Sequence, residues 1–337
     1  RLKLNTPKIL NRKEDYTMVD TLRRETTGEI NPPLVLEIPE PTYEKIKWPY
    51  LLSLPVMWLL IIWVVAKKML LGLFGRKLKT NTYLFDGASR SCRKIKDEAT
   101  NWKGLDVVYN HHFGSIQGIE GWVSDFWIGM MNAQAVRNRL LLIKYLLAQK
   151  FNTCGQGGSI LSLASGSAQG IIETLAFLKE RGIKVRAVLV DNNQEALIHS
   201  KELAQKYGVE EQVTTIQGNI RDLFRLKKTL NGHLPFDAVE MVGFLEYVSD
   251  RTAVRLIESV YSVLRPGGIF LTNSIGNNPE RWFLYHVIDW RMKHRRPKHL
   301  EGLVRAGGFE DCRIISEPHS IFHIALATSC KASTEMV

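Results

Sequence analysis

Residues 160–170 read ILSLASGSAQG, an apolar run that passes into a string of Ala, Ser and Gly, with Ile171 and Ile172 close behind. This is the pattern of a buried strand turning into a helix beneath a ligand. The stretch lacks the Lys-Ser/Thr ending of a phosphate-binding loop, and of a dinucleotide fingerprint only Gly166 and Gly170 remain. The turn therefore calls for a ligand that the backbone approaches closely but that brings no phosphate to be cradled.

Downstream of residue 158, short apolar runs alternate with helical periods, the signature of a parallel α/β sheet. Strands are predicted at 159–164, 185–191, 213–217, 236–243 and 268–274, with helices between them. Asp250 is placed to cap a helix in which Val254, Ile257, Tyr261 and Leu264 recur at helical spacing, and RPGG at 265–268 ends it. An aromatic-rich helix over PERWFLYHVIDWRM and another near 298–306 lead to two closing β runs, DCRIISE and SIFHIALAT, read as an edge hairpin. Upstream, NAQAVRNRLLLIKYLLAQKF puts Leu140, Ile143 and Leu147 on one helical face. YNHHFGSIQGIEGWVSDFWIGMM, rich in Gly and aromatics without sustained periodicity, reads as a cap over the site.

In an open α/β sheet, ligands sit outside the carboxyl ends of the strands, beside the point where strand order reverses. Ala164, Ser165, Gly166 and Ser167 would admit backbone contact there, and the following helix N-terminus suits a carboxylate. Asp191 ends the second run and can accept hydrogen bonds from ribose hydroxyls, with Asn192 beside it. At the end of the third run an Asn219 amide can read an adenine edge while Ile220 packs on its face. A nucleoside carrying a carboxylate and no phosphate, S-adenosylmethionine (SAM), satisfies all three places.

ILSLASGSAQ, VLVDNN, QGNI, FDAVEMVGFLEYVSD and VLRPGGIFL, in that order, resemble the successive motifs of class I SAM-dependent methyltransferases over residues 158 to about 330. The resemblance implies a Rossmann-like seven-stranded sheet with helices on both faces and a reversed final hairpin. It further implies SAM as cofactor, with Phe244 among its contacts, and a substrate that meets the methyl group just after the fourth strand. Ser162 stands where the family usually has an acidic residue, and Ala164 where it has the first glycine of the turn.

A methyl sulfonium is already activated, so such an enzyme must chiefly align the nucleophile and exclude water. A general base is needed only if the nucleophile arrives protonated. Glu246 and Tyr247 hold the position for it; His111, His112, Tyr285, His286, His319 and His323 are further candidates. Arg137 or Arg139 could pair with the methionyl carboxylate, and Arg139 is assigned to the cofactor site. The cluster Arg291, Lys293, His294, Arg295, Arg296 and Lys298 suits a phosphate-bearing headgroup or plain solvent.

WPYLLSLPVMWLLIIWVVA, residues 48–66, carries no charge and approaches the roughly 20 residues that span a hydrocarbon core. Lys67, Lys68, Arg76, Lys77 and Lys79 follow it, against Lys45 and Lys47 before it, which puts the C-terminal side in the cytoplasm. The organisation expected is a polar tail at 1–47, a transmembrane helix at 48–66, a basic juxtamembrane segment with a helical cap at 67–157, the methyltransferase domain at 158–330 and a short tail at 331–337. Lys+Arg of 45 against Asp+Glu of 34 gives a net charge of +11, for which the membrane offers a sufficient partner. No separate RNA-binding module or base-stacking signature makes nucleic acid a plausible target. Four well-separated cysteines argue against a zinc site or disulfide framework. The function expected is that of a single-pass, membrane-anchored SAM-dependent methyltransferase of a lipid-like or membrane-associated small molecule. Methylation of a soluble metabolite or protein, another SAM-using transfer, and a non-catalytic scaffold of the same fold are the alternatives.

Overall fold

Seven apolar runs in the C-terminal half become strands: β1 (Gly158–Leu163), β2 (Val185–Asp191), β3 (Val213–Gln217), β4 (Phe236–Met241), β5 (Leu264–Ile275), β6 (Asp311–Ser316) and β7 (Phe322–Thr328). In the computed structural model, which describes residues 38–45, 48–154, 157–222, 228 and 230–330, they form one sheet in the order β3-β2-β1-β4-β5-β7-β6. β1 to β5 run parallel, and β7 lies antiparallel between β5 and β6. The seven-stranded sheet and its reversed hairpin are those the motifs implied. Strand order reverses beside β1, where β2 lies on one side and β4 on the other, so a crevice opens at the carboxyl ends of these strands.

Both faces of the sheet are covered, which is why its strands read as continuous apolar runs. Leu161 and Leu163 of β1, with Val188, Val239 and Phe270, pack against α8 (Asp250–Tyr261) and α9 (Pro297–Ala306). Ile160, Ala187, Leu189, Ala238 and Leu271 pack on the other face. Their partners are α5 (Met131–Cys154), α6 (Gln169–Glu180) and α7 (Gln194–Lys206). The alternation of β1 thus sends Ser162 toward α5 and α6.

A third apolar cluster lies upstream. It joins Met57, Ile61 and Val64 of α1 (Trp48–Leu73) to Phe85, to Cys92 and Ile95 of α2 (Arg90–Asp97), and to Val108 of α3 (Trp102–Tyr109). Val123 and Trp127 of α4 (Gly118–Ile128) and Phe283, Leu284 and Val287 complete it. Trp127 stacks on Phe283 at 4.7 Å, and Phe85 meets both rings edge-on at 5.6 Å. Positions 57, 61 and 64 fall on one helical face. Val56, Leu59, Ile62 and Trp63 of the same helix are exposed.

Several local expectations change. The apolar helix runs on without interruption at Pro55 as far as Leu73, and its segment Ser53–Leu73 is long and apolar enough to cross a membrane. Ser249, not Asp250, caps α8, its hydroxyl accepting the Thr252 N–H; Asp250 instead pairs with Arg295 and His299. The expected aromatic helix shortens to Arg281–Phe283 and a π-helical turn, Leu284–Ile288. Asp289 then takes a left-handed conformation, and the chain extends so that the Lys293 and Arg295 N–H groups reach the Glu246 and Ile275 carbonyls. Within the upstream segment, α4 forms between Gly118 and Gly129, a helix whose short length hid its period. RPGG belongs to β5. Most of the tail at 1–47 and all of 331–337 lie outside the described residues. Residues 38–45 dock on α5: the Glu44 carboxylate accepts from Arg137 at 2.5 and 2.8 Å, and its N–H donates to Asn138.

The turn after β1 keeps a glycine-like path without the glycines. Ala164 and Ala168 sit at φ +52° and +51°, where an L-residue costs roughly 1–2 kcal/mol. Replacing Ala164 by Gly removes that strain but loosens the unfolded chain by about 0.5–1 kcal/mol. Ala164→Gly is therefore expected to stabilise the protein by about 0.5–1 kcal/mol in urea unfolding; a clear loss would mean that the Ala164 methyl is needed for packing.

Candidate active site

The crevice at the strand ends is a cleft of about 460 Å³. Its walls contain every residue assigned to the cofactor from sequence: Arg139, Ala164, Ser165, Gly166, Ser167, Asp191, Asn192, Asn219, Ile220 and Phe244. Tyr247 lines it too, while Glu246 faces an adjoining cavity. Asp191 organises the cleft edge. One carboxylate oxygen accepts the Gly166 N–H at 2.8 Å and the other the Asn193 N–H at 2.8 Å, tying the β1 turn to the start of α7. Each oxygen keeps a lone pair for another donor. Gly166, at φ +54°, would be strained by any side chain, and an added Cβ would crowd the Trp102 Cβ at 3.1 Å. Asn219 is exposed, and its side-chain oxygen accepts the Arg221 N–H; Ile220 is buried in the sheet core as well as lining the cleft.

The acidic group that β1 lacks is supplied by its neighbour. Ser162 is in register with Glu240 of β4, and its hydroxyl donates to the Glu240 carboxylate at 2.5 Å; the other Glu240 oxygen accepts the Val242 N–H. Burial pushes the Glu240 carboxyl up to about 7, although Ser162, Val242 and the nearby Arg139 favour its charged form. A carboxylate inside the apolar stretch AVEMV was its only mark in the sequence; that it faces Ser162 depends on strand register. Trp102, Tyr109 and Trp290, which also wall the cleft, come from the cap and the extended segment and had no motif to signal them.

Arg139 is 4% exposed and borders both cleft and cavity. It donates to the Tyr109 hydroxyl at 3.1 Å and lies 4.5 Å from the centre of the Phe322 ring. Burial works against its charge, yet the Tyr109 hydroxyl and the Glu246 carboxylate beside it leave the guanidinium more firmly protonated than usual. Arg137, the alternative, is taken by Glu44 and the Val108 and Ile128 carbonyls.

The adjoining cavity is narrow, about 70 Å³, and its walls are mainly apolar: Phe85, Trp127, Met130, Phe283, Trp290 and Met292 among them. Arg139, Gly243, Tyr247 and Trp290 line both spaces, so the two meet there. Glu246 is 2% exposed, and burial raises its carboxyl above the ordinary range despite Arg139. The Tyr247 hydroxyl accepts the Trp290 indole N–H at 2.6 Å, and burial pushes it up to about 12. The other candidate bases line neither space. His111 pairs with Asp125, His323 with Ser316, and the His286 carbonyl receives Lys68. Arg295 is buried and holds the loop after β4 through the Leu245 and Val248 carbonyls.

The cleft fits a polar ligand by its own chemistry. Ser165 Oγ, Trp102 Nε1 and Arg139 Nε are buried there without a hydrogen-bond partner among the described residues. Leaving such groups unpaired is costly unless a ligand meets them.

Residues 160–268 match a protein-family model described as a methyltransferase domain. No curated protein sequence matches the chain significantly. Among solved structures, a "possible exported protein" of Bordetella parapertussis shares 15% identity, with 83% of this chain and 97% of that chain covered and a TM-score of 0.60. An O-methyltransferase family protein from Burkholderia thailandensis shares 13%, with 72% of each chain covered and a TM-score of 0.47. Human N-acetylserotonin methyltransferase in complex with SAM shares 16%, with 82% and 67% covered and a TM-score of 0.45. The Bordetella likeness is one of fold and takes in more of the chain than the sheet domain alone. The strand order, the cleft and the family match define the class: the chain carries a SAM-dependent methyltransferase domain.

Two expectations follow for the cleft. Asp191→Ala should weaken SAM binding by about 1.5–3 kcal/mol, the scale of hydrogen bonds to a charged group, as read by calorimetry; unchanged affinity would remove Asp191 from the cofactor site. Glu240, titrating near 7 rather than 4.5, binds its proton more tightly in the folded than in the unfolded chain. Stability therefore declines as pH rises through that window and is fully regained below it. Glu240→Gln should accordingly stabilise the cofactor-free protein by about 1–3 kcal/mol at about pH 8 and by much less at about pH 5, measured by urea unfolding.

Proposed function

We propose that the chain is a membrane-anchored methyltransferase whose acceptor is a lipid-like or membrane-associated small molecule. One observation carries this reading. The buried face of α1 belongs to the same apolar cluster as the cavity walls, with Met57, Ile61 and Val64 packed among residues that include Phe85, Trp127 and Phe283. Lys68 at the end of that helix bonds the Asp289 carboxylate at 2.6 Å and the His286 carbonyl at 2.8 Å. The apolar helix thus packs behind residues that wall the acceptor cavity, which would set the cavity near the headgroup level if the exposed face of α1 meets lipid. Excess Lys and Arg after the helix favours a cytoplasmic catalytic domain, on the side where SAM is made.

In this reading Asp191 takes the ribose hydroxyls, Asn192, Asn219, Ile220 and Phe244 border the adenine, and residues 164–167 with Arg139 meet the methionyl end. Glu240 brings negative charge to the end that carries the ammonium and sulfonium. Bound SAM supplies the electrophilic methyl group. The chain aligns the acceptor at the junction lined by Gly243, Tyr247 and Trp290 and excludes water by the cap.

Because α1 contributes to the cap core, the intact chain is the object to test. Full-length protein in liposomes of total lipid extract, given methyl-radiolabelled SAM, is expected to transfer label into the organic phase. Label entering only aqueous metabolites or protein, at equal rates in liposomes and in detergent, would refute the membrane reading.

A further inference from the structure

The polar atoms left unpaired around the acceptor cavity specify the group that is methylated. Glu246 Oε2 and Asn132 Oδ1 are buried without hydrogen-bond partners among the described residues, and both residues line the cavity. Both atoms are acceptors, and the tautomer-like choice of the amides is settled by their neighbours. Asn273 Oδ1 accepts the Gly243 N–H at 2.6 Å, so its amide nitrogen must be the atom 2.6 Å from Glu246 Oε1. The Asn132 amide nitrogen donates to Glu280 at 2.7 Å and to Asn278 at 2.9 Å, leaving its oxygen free. Glu246 is therefore clamped through one oxygen and bare at the other, in surroundings made largely of aromatic rings and methionines.

Resting on the methyltransferase reading above, we propose that the methyl acceptor is a neutral hydroxyl on an apolar molecule, and that Glu246 Oε2 is the base that takes its proton. A carboxylate acceptor would be set against Glu246, two anions in an apolar cavity. An amine would enter as an ammonium, paired to Glu246 and without a lone pair to attack. A hydroxyl alone can donate its hydrogen to Oε2 and still present a lone pair to the methyl carbon. As the C–O bond forms, the C–S bond breaks with its electron pair passing to sulfur, and the sulfonium becomes the neutral thioether of S-adenosylhomocysteine. The hydroxyl proton, made strongly acidic by the forming bond, passes to Glu246. The products are a methyl ether, S-adenosylhomocysteine and a protonated Glu246, which returns its proton to solvent after release. Buried Arg139 offsets the carboxylate charge before transfer.

The test uses the full-length protein with SAM and a matched set of probes: 4-octylphenol, 4-octylbenzylamine and 4-octylbenzoic acid, with products identified by mass spectrometry. The methyl ether of the phenol is expected as the main product. Glu246→Gln should slow its formation on the order of 100-fold or more, the scale of a lost general base, with SAM affinity by calorimetry changed less than about threefold. A nitro-substituted octylphenol, already ionised near neutral pH, needs no base, and its methylation should be largely restored in Glu246→Gln; a purely structural defect would not be rescued in this way. With SAM bound, absence of transfer to the phenol, preferential methylation of the benzylamine or benzoic acid, or no rescue by the ionised phenol would each overturn the inference. Failure to bind SAM at all would instead overturn the methyltransferase reading on which it rests.

Discussion

A single buried cation holds the chemistry of this protein together. Arg139 leaves α5 at the junction of cleft and cavity, where it faces the Glu240 carboxylate on one side and the Glu246 carboxylate on the other. Burying two carboxylates in so apolar a setting would be prohibitive without a compensating charge. Arg139 provides it while resting against Phe322 and donating to Tyr109. Its guanidinium remains ionised across the accessible pH range, so the electrostatic frame stays constant while either carboxyl can change protonation.

Around that cation the two spaces differ in what they offer a ligand. The cleft is polar, formed by the β1 turn, Asp191 and the ends of β2 to β4, and the family match covers most of it. The cavity is apolar and is formed mainly by the cap and the segment after β5, outside the matched residues. The division follows from the fold. In the proposed function the sheet presents a fixed set of strand ends to the cofactor, whereas the acceptor side is enclosed by helices free to differ between proteins that share the sheet. That the apolar α1 packs against those helices is what connects the acceptor side to a membrane in the proposed function.

The motif residues were legible because each answers to a local constraint: small residues where backbone must approach a ligand, and Asp at a strand end. They converge in one cleft because parallel strands deliver all their carboxyl ends to the same edge. Ser162 and Ala164, which depart from the usual pattern, are each accommodated by the fold. Ala164 adopts the glycine conformation, and Ser162 hands the acidic position to Glu240 across the strand pair. Neither accommodation has a local signature, since one is a backbone angle and the other a register between strands 78 positions apart.

The sequence by itself determined the alternating elements, the class of fold, the residues that line the cleft and a helix apolar enough to span a membrane. The elements and the apolar helix follow from periodicity, turn chemistry and composition over a few residues at a time; the seven-stranded class and Phe244 followed from the resemblance of the ordered motifs to a family. Only the tertiary structure decided that α1 shares a core with Trp127 and Phe283, that Arg137 belongs to Glu44 while Arg139 enters the site, and that Asn273 clamps Glu246. Those pairings join residues far apart in the chain, and the period of a helix or strand shows that a face is buried without showing what is buried against it.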